Sequence, residues 1–589
     1  MNEFLPLRTL RLLALVAGLA SSAVAAPQQL WTAKLPGDAK WHNLTELGTL
    51  LVGTDSAMLS FDPDTGQQLW KRDDFKKTSA HNARQIPGTP FILSNNYAGI
   101  ANSKVTLSAV DYLTGETVWQ APEIVGQYLA TLPVVEKGLV IFIYNGHQEK
   151  DGQGLYFRAH DLLTGEQKWL TKFGKINAIP VHLADNSGKF MPTMDLSGYH
   201  DPVVDGDELY LGYLGVQCLD LNTGAIKWAV EFPPGDKNLK RTYAPLRIDG
   251  DRIYGAGGGS VYAIDRRTGT TIWKSDRISS YAGLLKARDN AIVSQLEIAG
   301  GKIFARYGGN FSNGQGVVLK DPLGIVVLNA ADGEAVYQAK AVKEGLTNLM
   351  VLPEINTVMY ADAYHLYGLD ISAEQPVETF KVEIEFKRKM GGGEVAQLGL
   401  GVLGGVSGIV KAAKAQSKGR LDVPVAILRR GDHIIVQGKQ HLIGFDPKAR
   451  NIAWSTYYAA PGDTFGMTAL FAVTAMAALQ GNAMAAPHTY GSSGYRSGES
   501  LIHNSLDRYN KVAGKRRAAT QGADDRTYVL TRVEEGKEKG IGLVGIRLDD
   551  GESDKQLILG SKEPVYSVDE SIGRLFYFKG KDQIIAYGL

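Results

Sequence analysis

One short pattern recurs along this chain at a fixed internal spacing, and it constrains the fold more than any other feature of the sequence. The pattern is Ala, one residue, Asp, two residues, Thr-Gly, three residues and Trp, and the copies that begin at Ala109, Ala159 and Ala263 keep all of it. A repeat with a period of about 40 to 60 residues and several short alternating segments per unit is typical of a β-propeller. The five copies that keep both Asp and Trp contain Asp62 with Trp70, Asp111 with Trp119, Asp161 with Trp169, Asp220 with Trp228, and Asp265 with Trp273.

Each residue of the pattern has a physical role. The Asp carboxylate can accept hydrogen bonds from the amides of the turn that follows it, and the Gly can take the left-handed backbone conformation. The pattern therefore predicts a hairpin between the third and fourth strands of each unit. The Trp falls on the fourth strand, where its flat ring can pack against the next unit while its N–H donates to a backbone carbonyl.

Four further copies are degenerate, and only one of them keeps both residues, namely Asp446 with Trp454. The other three lie at 329–337, 370–380 and 549–551, where the Trp is replaced or lost. The nine internal turns, together with one unit built from both chain ends, give ten units. Eight units is the alternative count.

The two ends of the chain are predicted to complete one unit. Residues 582–589 resemble a third strand that stops before its turn, and residues 29–34, which include Trp31, resemble the missing fourth strand. Pairing of these two segments would close a single ring and remove exposed sheet edges. We therefore expect an all-β fold, a single closed β-propeller of four-stranded blades that covers residues 26–589.

The repeat is similar to the tryptophan-docking motif of the pyrroloquinoline quinone (PQQ) repeat family, and the resemblance covers nearly all of residues 28–589. It implies a β-propeller, which in that family usually has eight units. The family includes PQQ-dependent alcohol and sugar dehydrogenases, and also cofactor-free propellers that resemble the scaffold subunit of the outer-membrane barrel-assembly machinery. Because one fold serves both kinds of protein, the motif is specific for the fold and does not decide the activity.

The sequence offers little for the dehydrogenase chemistry that the resemblance allows. Those dehydrogenases bind PQQ over a metal ion, with an acidic base, and many have a vicinal disulfide that the single cysteine, Cys218, cannot form. No set of Glu, Asn and Asp maps onto a cofactor pocket, and the 11 His residues form no HxH or HExxH pair. We predict no catalytic, cofactor-binding or metal-binding residues and no cofactor. A dehydrogenase that uses PQQ with calcium is the alternative.

Charge and the N-terminal segment indicate where the protein acts. With 63 Lys and Arg against 62 Asp and Glu, the formal net charge is +1, which disfavours nucleic acid as a partner. Arg8 and Arg11 precede the apolar run Leu12 to Leu19, and small residues up to Ala25 form a cleavage site. This is the pattern of a secretory signal peptide, because the run is shorter than the roughly 20 residues of a membrane span. We expect cleavage after residues 1–25 and a periplasmic or secreted protein.

Two segments with uncharged apolar runs interrupt the repeat at successive unit-to-unit connections. The first, 387–420, is rich in Gly, and as a helix it would present a small-residue groove at Gly401 and Gly405. The second, 462–525, begins with an Ala-rich run and continues into a stretch rich in Gly, Ser, Arg and Lys, which we expect to be a mobile loop. The bulky apolar residues of its first part are Leu470, Phe471, Met476 and Leu479.

Connections between four-stranded antiparallel units all leave the same face of a propeller, so both inserts are expected side by side as helices. They would then pack on each other over the ring, dock a partner, or enter a membrane. We predict a protein-interaction scaffold with an envelope or secreted protein as partner, in cell-envelope assembly. Its candidate partner-binding residues are Leu470, Phe471, Met476, Leu479, Gly401 and Gly405.

Overall fold

The computed structural model shows an all-β chain of short antiparallel strands. The elements bounded within the described ranges are 41 strands and single 3-10 turns at Asp73–Phe75, Val135–Lys137, Pro353–Ile355 and Glu570–Ile572. The structure describes residues 27–76, 78, 83–98, 104–146, 148–152, 154–173, 180–184, 190–194, 202–212, 215–232, 244–257, 259–278, 292–312, 317–342, 345–384, 386, 423–438, 440–458, 526–535, 538–562 and 564–589.

The strands form where aliphatic and aromatic residues cluster between turns that contain Gly and Asp. In the first unit the two middle strands, Leu50–Thr54 and Met58–Phe61, are buried along their whole length. The fourth strand, Gln68–Arg72, fully buries only Trp70. Middle strands covered on both faces read as continuous apolar runs, whereas the fourth strand alternates.

The strands fall into ten consecutive units, nine of them with four described strands. Units 1 to 5 contain, in order, β2 (Ala39–Leu44), β3 (Leu50–Thr54), β4 (Met58–Phe61), β5 (Gln68–Arg72); β6 (Ala83–Gln85), β7 (Phe91–Ala98), β8 (Lys104–Asp111), β9 (Thr117–Gln120); β10 (Ile124–Val134), β11 (Leu139–Gly146), β12 (Gly154–Asp161), β13 (Gln167–Lys172); β16 (Val203–Asp205), β17 (Glu208–Gly212), β18 (Gly215–Asp220), β19 (Ile226–Glu231); and β20 (Arg247–Asp249), β21 (Arg252–Gly257), β22 (Ser260–Asp265), β23 (Thr271–Lys274). Units 6 to 10 contain β24 (Val293–Ala299), β25 (Lys302–Ser312), β26 (Val317–Asn329), β27 (Ala335–Gln338); β28 (Met350–Leu352), β29 (Thr357–Ala361), β30 (His365–Asp370), β31 (Glu378–Glu383); β32 (Ala426–Arg430), β33 (His433–Gln437), β34 (His441–Asp446), β35 (Asn451–Tyr457); β36 (Arg526–Glu535), β37 (Glu538–Arg547), β38 (Ser553–Ile558); and β39 (Val565–Asp569), β40 (Arg574–Lys579), β41 (Gln583–Gly588), β1 (Gln29–Lys34).

Three features depart from this plan. Units 2 and 3 share one sheet, because Ile124 and Val125 at the start of β10 pair with the start of β8. A separate two-stranded ribbon, β14 (Pro180–Ala184) with β15 (Phe190–Met194), lies between units 3 and 4 in the chain. Unit 9 has three strands within the described residues, and these correspond to the second, third and fourth strands of the other units.

The fourth strand of unit 10 comes from the other end of the chain. β1 pairs antiparallel with β41, with Trp31 opposite Ala586 and Lys34 opposite Gln583. Beyond the paired strands, the Leu35 amide donates to the Asp582 carbonyl at 2.7 Å. The two ends of the chain therefore complete one sheet, as the sequence predicts.

The hydrophobic core is divided among the interfaces between units. Ten clusters of buried apolar side chains occur among the described residues, and each joins two successive units. One of these clusters joins unit 10 to unit 1, with Phe576 and Ile584 against Leu50, Val52 and Leu59. This cyclic order of contacts is consistent with a β-propeller.

The topology separates two faces. Because successive strands alternate in direction, all hairpins between third and fourth strands lie on one side, which we call the turn face. Hairpins between second and third strands, and the connections between units, lie on the opposite side, the connection face. Segments 387–420 and 462–525 belong to the connections from β31 to β32 and from β35 to β36, but they lie outside the described residues, as does their predicted helical form.

None of the helices in the described ranges has the length and apolar character needed to span a membrane.

Candidate functional site

The predicted docking tryptophans lie between successive units. The Trp70 ring covers Gly115 of unit 2, so a Cβ on that glycine would lie 2.7 Å from the ring. Trp31 covers Gly66 of unit 1 in the same way. The Nε1 atoms donate to the next unit's turn as follows: Trp31 to Pro63 O at 3.0 Å, Trp70 to Tyr112 O at 2.8 Å, Trp119 to Leu162 O at 2.8 Å, Trp169 to Leu221 O at 2.7 Å, Trp228 to Arg266 O at 3.0 Å and Trp273 to Ala330 O at 3.1 Å.

A fourth strand carries a docking Trp where the turn of the next unit contains a glycine that the ring can cover. Seven receiving turns contain a glycine with positive φ beneath a Trp ring, namely Gly66, Gly115, Gly165, Gly224, Gly269, Gly333 and Gly551. Unit 7 has a longer turn without glycine, and Tyr337 stands at the docking position of unit 6, which comes before it. Unit 8 has Arg450 at φ 57° in place of the glycine, and Phe380 precedes it. Unit 10 has the chain ends in place of a turn, and Lys555 stands at the docking position before it.

The Asp residues hold the turns. The Asp62 carboxylate accepts the Thr65 amide and hydroxyl, both at 2.8 Å. Asp265 makes the same contacts with Thr268, and these hydrogen bonds hold the pKa of its carboxyl below the usual value. The amides of Ala449 and Lys448 likewise lower the pKa of Asp446.

Asp111, Asp161 and Asp220 accept the same turn amides. The ninth turn differs from the sequence interpretation, which used Asp549. Arg547 occupies the Asp position there, because its carbonyl accepts the Gly551 amide at 2.9 Å.

The other reactive residue types are engaged in packing. Burial lowers the pKa of His160, whose Nδ1 lies 2.9 Å from the Gly165 carbonyl. The Cys218 thiol is buried, and burial raises its pKa to about 11, which keeps it protonated. No group of three or more His, Cys, Asp or Glu within the described part of the chain is arranged to hold a metal ion.

Two kinds of residue were missed from the sequence. The residue opposite each docking Trp in the third strand is small, as in Ala109 opposite Trp119 and Gly444 opposite Trp454. A Cβ on Gly444 would lie 2.2 Å from the Trp454 ring. The first position of the repeat was visible as Ala, but its reason, room for the ring across the strand pair, needs the register.

The second kind is a pair of amide side chains that clamp the first strands of neighbouring units. Gln295 of unit 6 donates to the Leu349 carbonyl at 3.1 Å and accepts its amide at 2.9 Å. Asn348, just before unit 7, bonds both backbone groups of Ile427 at 3.2 and 2.9 Å. These clamps lie at the two interfaces where Tyr337 and Phe380 replace Trp. No motif marks them in the sequence.

An aromatic group marks the connection face of units 7 and 8. The Tyr364 carbonyl accepts the Ile384 amide at 2.7 Å, and the Phe386 ring lies 4.7 Å from His441. His441 in turn meets Tyr457 edge-on at 6.1 Å. Tyr457 is 63% exposed.

His441 is also held by a contact within unit 8. Burial lowers its pKa, and its Nε2 lies 2.8 Å from the Ser455 hydroxyl.

The six predicted partner-binding residues flank this group in the chain but lie outside the described residues: Leu470, Phe471, Met476, Leu479, Gly401 and Gly405.

Comparison with known proteins places these features in a wider group. Residues 25–230, 157–341 and 257–374 match the family model described as outer membrane protein assembly factor BamB. A relative from Burkholderia pseudomallei (strain K96243), outer membrane protein assembly factor BamB, is 26% identical over 377 residues, which cover 58% of this chain and 87% of the relative.

Two solved structures illustrate what this chain is similar to. BamB from Moraxella catarrhalis has a TM-score of 0.35 at 13% identity and covers 72% of this chain and 97% of its own. Quinohemoprotein alcohol dehydrogenase from Comamonas testosteroni has a TM-score of 0.31 at 14% identity and covers 95% of this chain and 76% of its own.

Proposed function

We propose the function of this chain from the premise that it belongs to the family described as outer membrane protein assembly factor BamB. It acts as a protein-interaction scaffold in the assembly of outer membrane proteins, and it binds an envelope protein as partner. The observation that carries the proposal is the family match, which spans residues 25–374 and therefore most of units 1 to 7. The Asp and Trp residues of these units are committed to turns and unit interfaces, which is what a rigid scaffold requires.

We further propose that the ten units form one closed ring. The pairing of β1 with β41 and the cyclic order of the ten core clusters support this proposal. A closed ring holds its loops on a rigid frame, and loops on rigid frames commonly carry binding functions.

The partner surface is assigned to the connection face. The turn face is built from short, similar hairpins, whereas connections on the opposite face differ greatly in length, up to the 42 residues between Glu383 and Ala426. The inserts 387–420 and 462–525 arise there, next to Tyr364, Phe386 and Tyr457. We propose that they contact a partner protein or each other, and that membrane contact is the third outcome.

The proposed location is the periplasm or the cell exterior. The signal-peptide pattern of residues 1–25 supports it. β1 begins only four residues after Ala25, at Gln29, so cleavage there would leave the closing strand intact.

One experiment separates this proposal from the dehydrogenase alternative. The full chain, tagged at its C-terminus and expressed in its host, is isolated from detergent-solubilised envelope and also incubated with PQQ, calcium and an artificial electron acceptor. We expect stoichiometric recovery of the barrel-assembly machinery and no PQQ-dependent dye reduction. Recovery of the chain alone, together with alcohol- or sugar-dependent dye reduction, would reverse the assignment.

A further inference from the structure

The fourth strand of each unit has one edge paired with the third strand and one edge that no described strand covers. An uncovered edge is a template for pairing with another chain, and proteins commonly protect such edges with charged side chains. Most fourth strands here have that protection. Those of five or more residues carry Lys34 in β1, Lys71 and Arg72 in β5, Lys168 and Lys172 in β13, Lys227 and Glu231 in β19, Glu378, Lys381 and Glu383 in β31, and Asp554 and Lys555 in β38.

β35 is the exception among these longer fourth strands, since the other two uncharged ones, β9 and β27, have only four residues each. β35 spans Asn451–Tyr457, seven residues with the sequence Asn-Ile-Ala-Trp-Ser-Thr-Tyr, and has no charged residue, Pro or Gly. Its Ile452 and Tyr457 side chains are 36% and 63% exposed. It is therefore the longest of the fourth strands and the only one of five residues or more in the described structure without a charge on its edge.

The backbone of β35 presents unpaired groups on this edge. The Tyr458 amide donates to the Gln440 carbonyl at 2.9 Å, so the backbone of Tyr458 faces β34. Backbone direction alternates along an antiparallel strand, so the N–H and C=O groups of Ser455 and Tyr457 point away from β34. Within the described residues, no strand pairs with them.

The side chains of β35 fall on two sides. Trp454 and Thr456 are occupied by unit 9, with the Thr456 hydroxyl donating to the Gly551 carbonyl at 2.8 Å. Ser455 and Tyr457 lie on the other side, beside His441. If another strand paired with the edge of β35, every second side chain of that added strand would lie on the same side as Ser455 and Tyr457.

We propose that the uncovered edge of β35 is a docking site that takes an extended, uncharged segment of a partner protein as an added strand of unit 8. The row of outward N–H and C=O groups is complementary to another extended backbone, which fixes the kind of occupant. Because β35 has no charge, the added strand desolvates no Lys or Asp. At ~3.3 Å per residue the strand offers roughly 23 Å of edge. The inference rests on the proposed scaffold function and specifies how the scaffold holds a partner.

The test uses the full chain and a synthetic eight-residue peptide of alternating Val and Thr with blocked ends. Hydrogen exchange is measured with the peptide and with a version that is N-methylated at every residue, so that neither of its edges can donate a backbone hydrogen bond. We expect slower exchange of the Ser455 and Tyr457 amides with the first peptide, no change in the other fourth strands, and no effect of the N-methylated peptide. Equal protection by both peptides, or protection spread over many units, would overturn the proposal, because backbone pairing at this edge would not be the cause.

A matched pair of variants provides a second readout. Ile452→Lys adds a charge to β35 and should weaken peptide binding at least tenfold. Ile272→Lys changes another exposed isoleucine, on β23, which already carries Lys274, and should leave binding unchanged. Identical affinity for both variants would exclude the edge. If Ile452→Lys abolishes peptide binding but still recovers the assembly machinery, the scaffold function stands and only its route through this edge is wrong.

Discussion

Trp31 and Ala586 lie opposite each other in the strand pair that joins the two ends of the chain, and the Trp31 ring then covers Gly66 of unit 1. This repeats the relationship between Trp119 and Ala109 inside unit 2. The seam is therefore built with the same parts as an ordinary unit and its neighbour. Its strength should match theirs.

Removal of the Trp31 side chain tests the seam. Trp31→Ala should destabilise the protein by about 3–5 kcal/mol, as expected for loss of a large packed aromatic. Leu30→Ala, at the neighbouring position that is 39% exposed, should change the free energy of unfolding by less than ~0.5 kcal/mol. Equal unfolding midpoints in urea for the two variants would show that Trp31 does not hold the ends together.

Deletion of residues 584–589 tests the same seam from the other end. It removes nearly all of β41 and leaves β1 without a partner. We therefore expect the free energy of unfolding to fall by more than ~4 kcal/mol, which is more than most single substitutions cost. Thermal unfolding followed by circular dichroism measures it. An unchanged midpoint would contradict closure through the termini.

The receiving glycines can be tested with a matched pair. Gly115 and Gly88 both have φ near +75°, but a Cβ at Gly115 would lie 2.7 Å from Trp70, whereas nothing lies within 4 Å of one at Gly88. Both Ala variants should lose about 1 kcal/mol to backbone strain. Gly115→Ala should lose about 1–3 kcal/mol more through overpacking. Similar losses for both would show that the Trp ring tolerates a methyl group at this position.

The amide clamp at unit 7 should also be measurable. Asn348→Ala leaves the amide and carbonyl of Ile427 without their side-chain partners, so we expect a loss of about 1–3 kcal/mol. Asn43→Ala, an exposed first-strand residue of unit 1, is the control and should be nearly neutral. Urea unfolding compares them, and a neutral Asn348→Ala would remove the clamp from the account of this interface.

Stability should fall in mild acid. Burial lowers the pKa of His160 in the folded state, so the unfolded chain binds the proton more readily below the usual pKa of 6.5. The stabilisation is complete above about pH 6.5 and is lost as pH falls through that value toward the lower folded pKa. His160→Gln should reduce the difference in unfolding free energy between pH 7.5 and pH 5. A pH dependence as large as that of the parent chain would assign the effect to other groups.

The sequence predicts the units and their seam because the residues responsible recur at fixed spacing. Asp62 and Trp70 can be recognised without coordinates, and Trp31 can be matched to them. Lys555 could not be assigned to the docking position of unit 9 from the sequence. Its presence there is explained only by the structure, in which unit 10 has no turn for an aromatic ring to cover. The clamps of Gln295 and Asn348 depend on contacts between strands more than 50 residues apart, and no local pattern records them.

The inserts remain the part of the candidate surface that rests on sequence alone. Replacing Gly401 and Gly405 with Leu would block close approach of a helix to the groove that they are predicted to form. If the two inserts pack together, limited proteolysis should then cleave within 462–525 while the ring stays folded. Unchanged cleavage and unchanged partner recovery would show that the inserts do not meet.

The scaffold function is tested most directly in the host cell. The gene is deleted, and the amount of folded outer membrane β-barrel protein is measured from its shifted migration on unheated gels. We predict a several-fold drop that the full chain restores and the 584–589 deletion does not. Normal levels of folded β-barrel proteins in the deletion strain would contradict a role in their assembly.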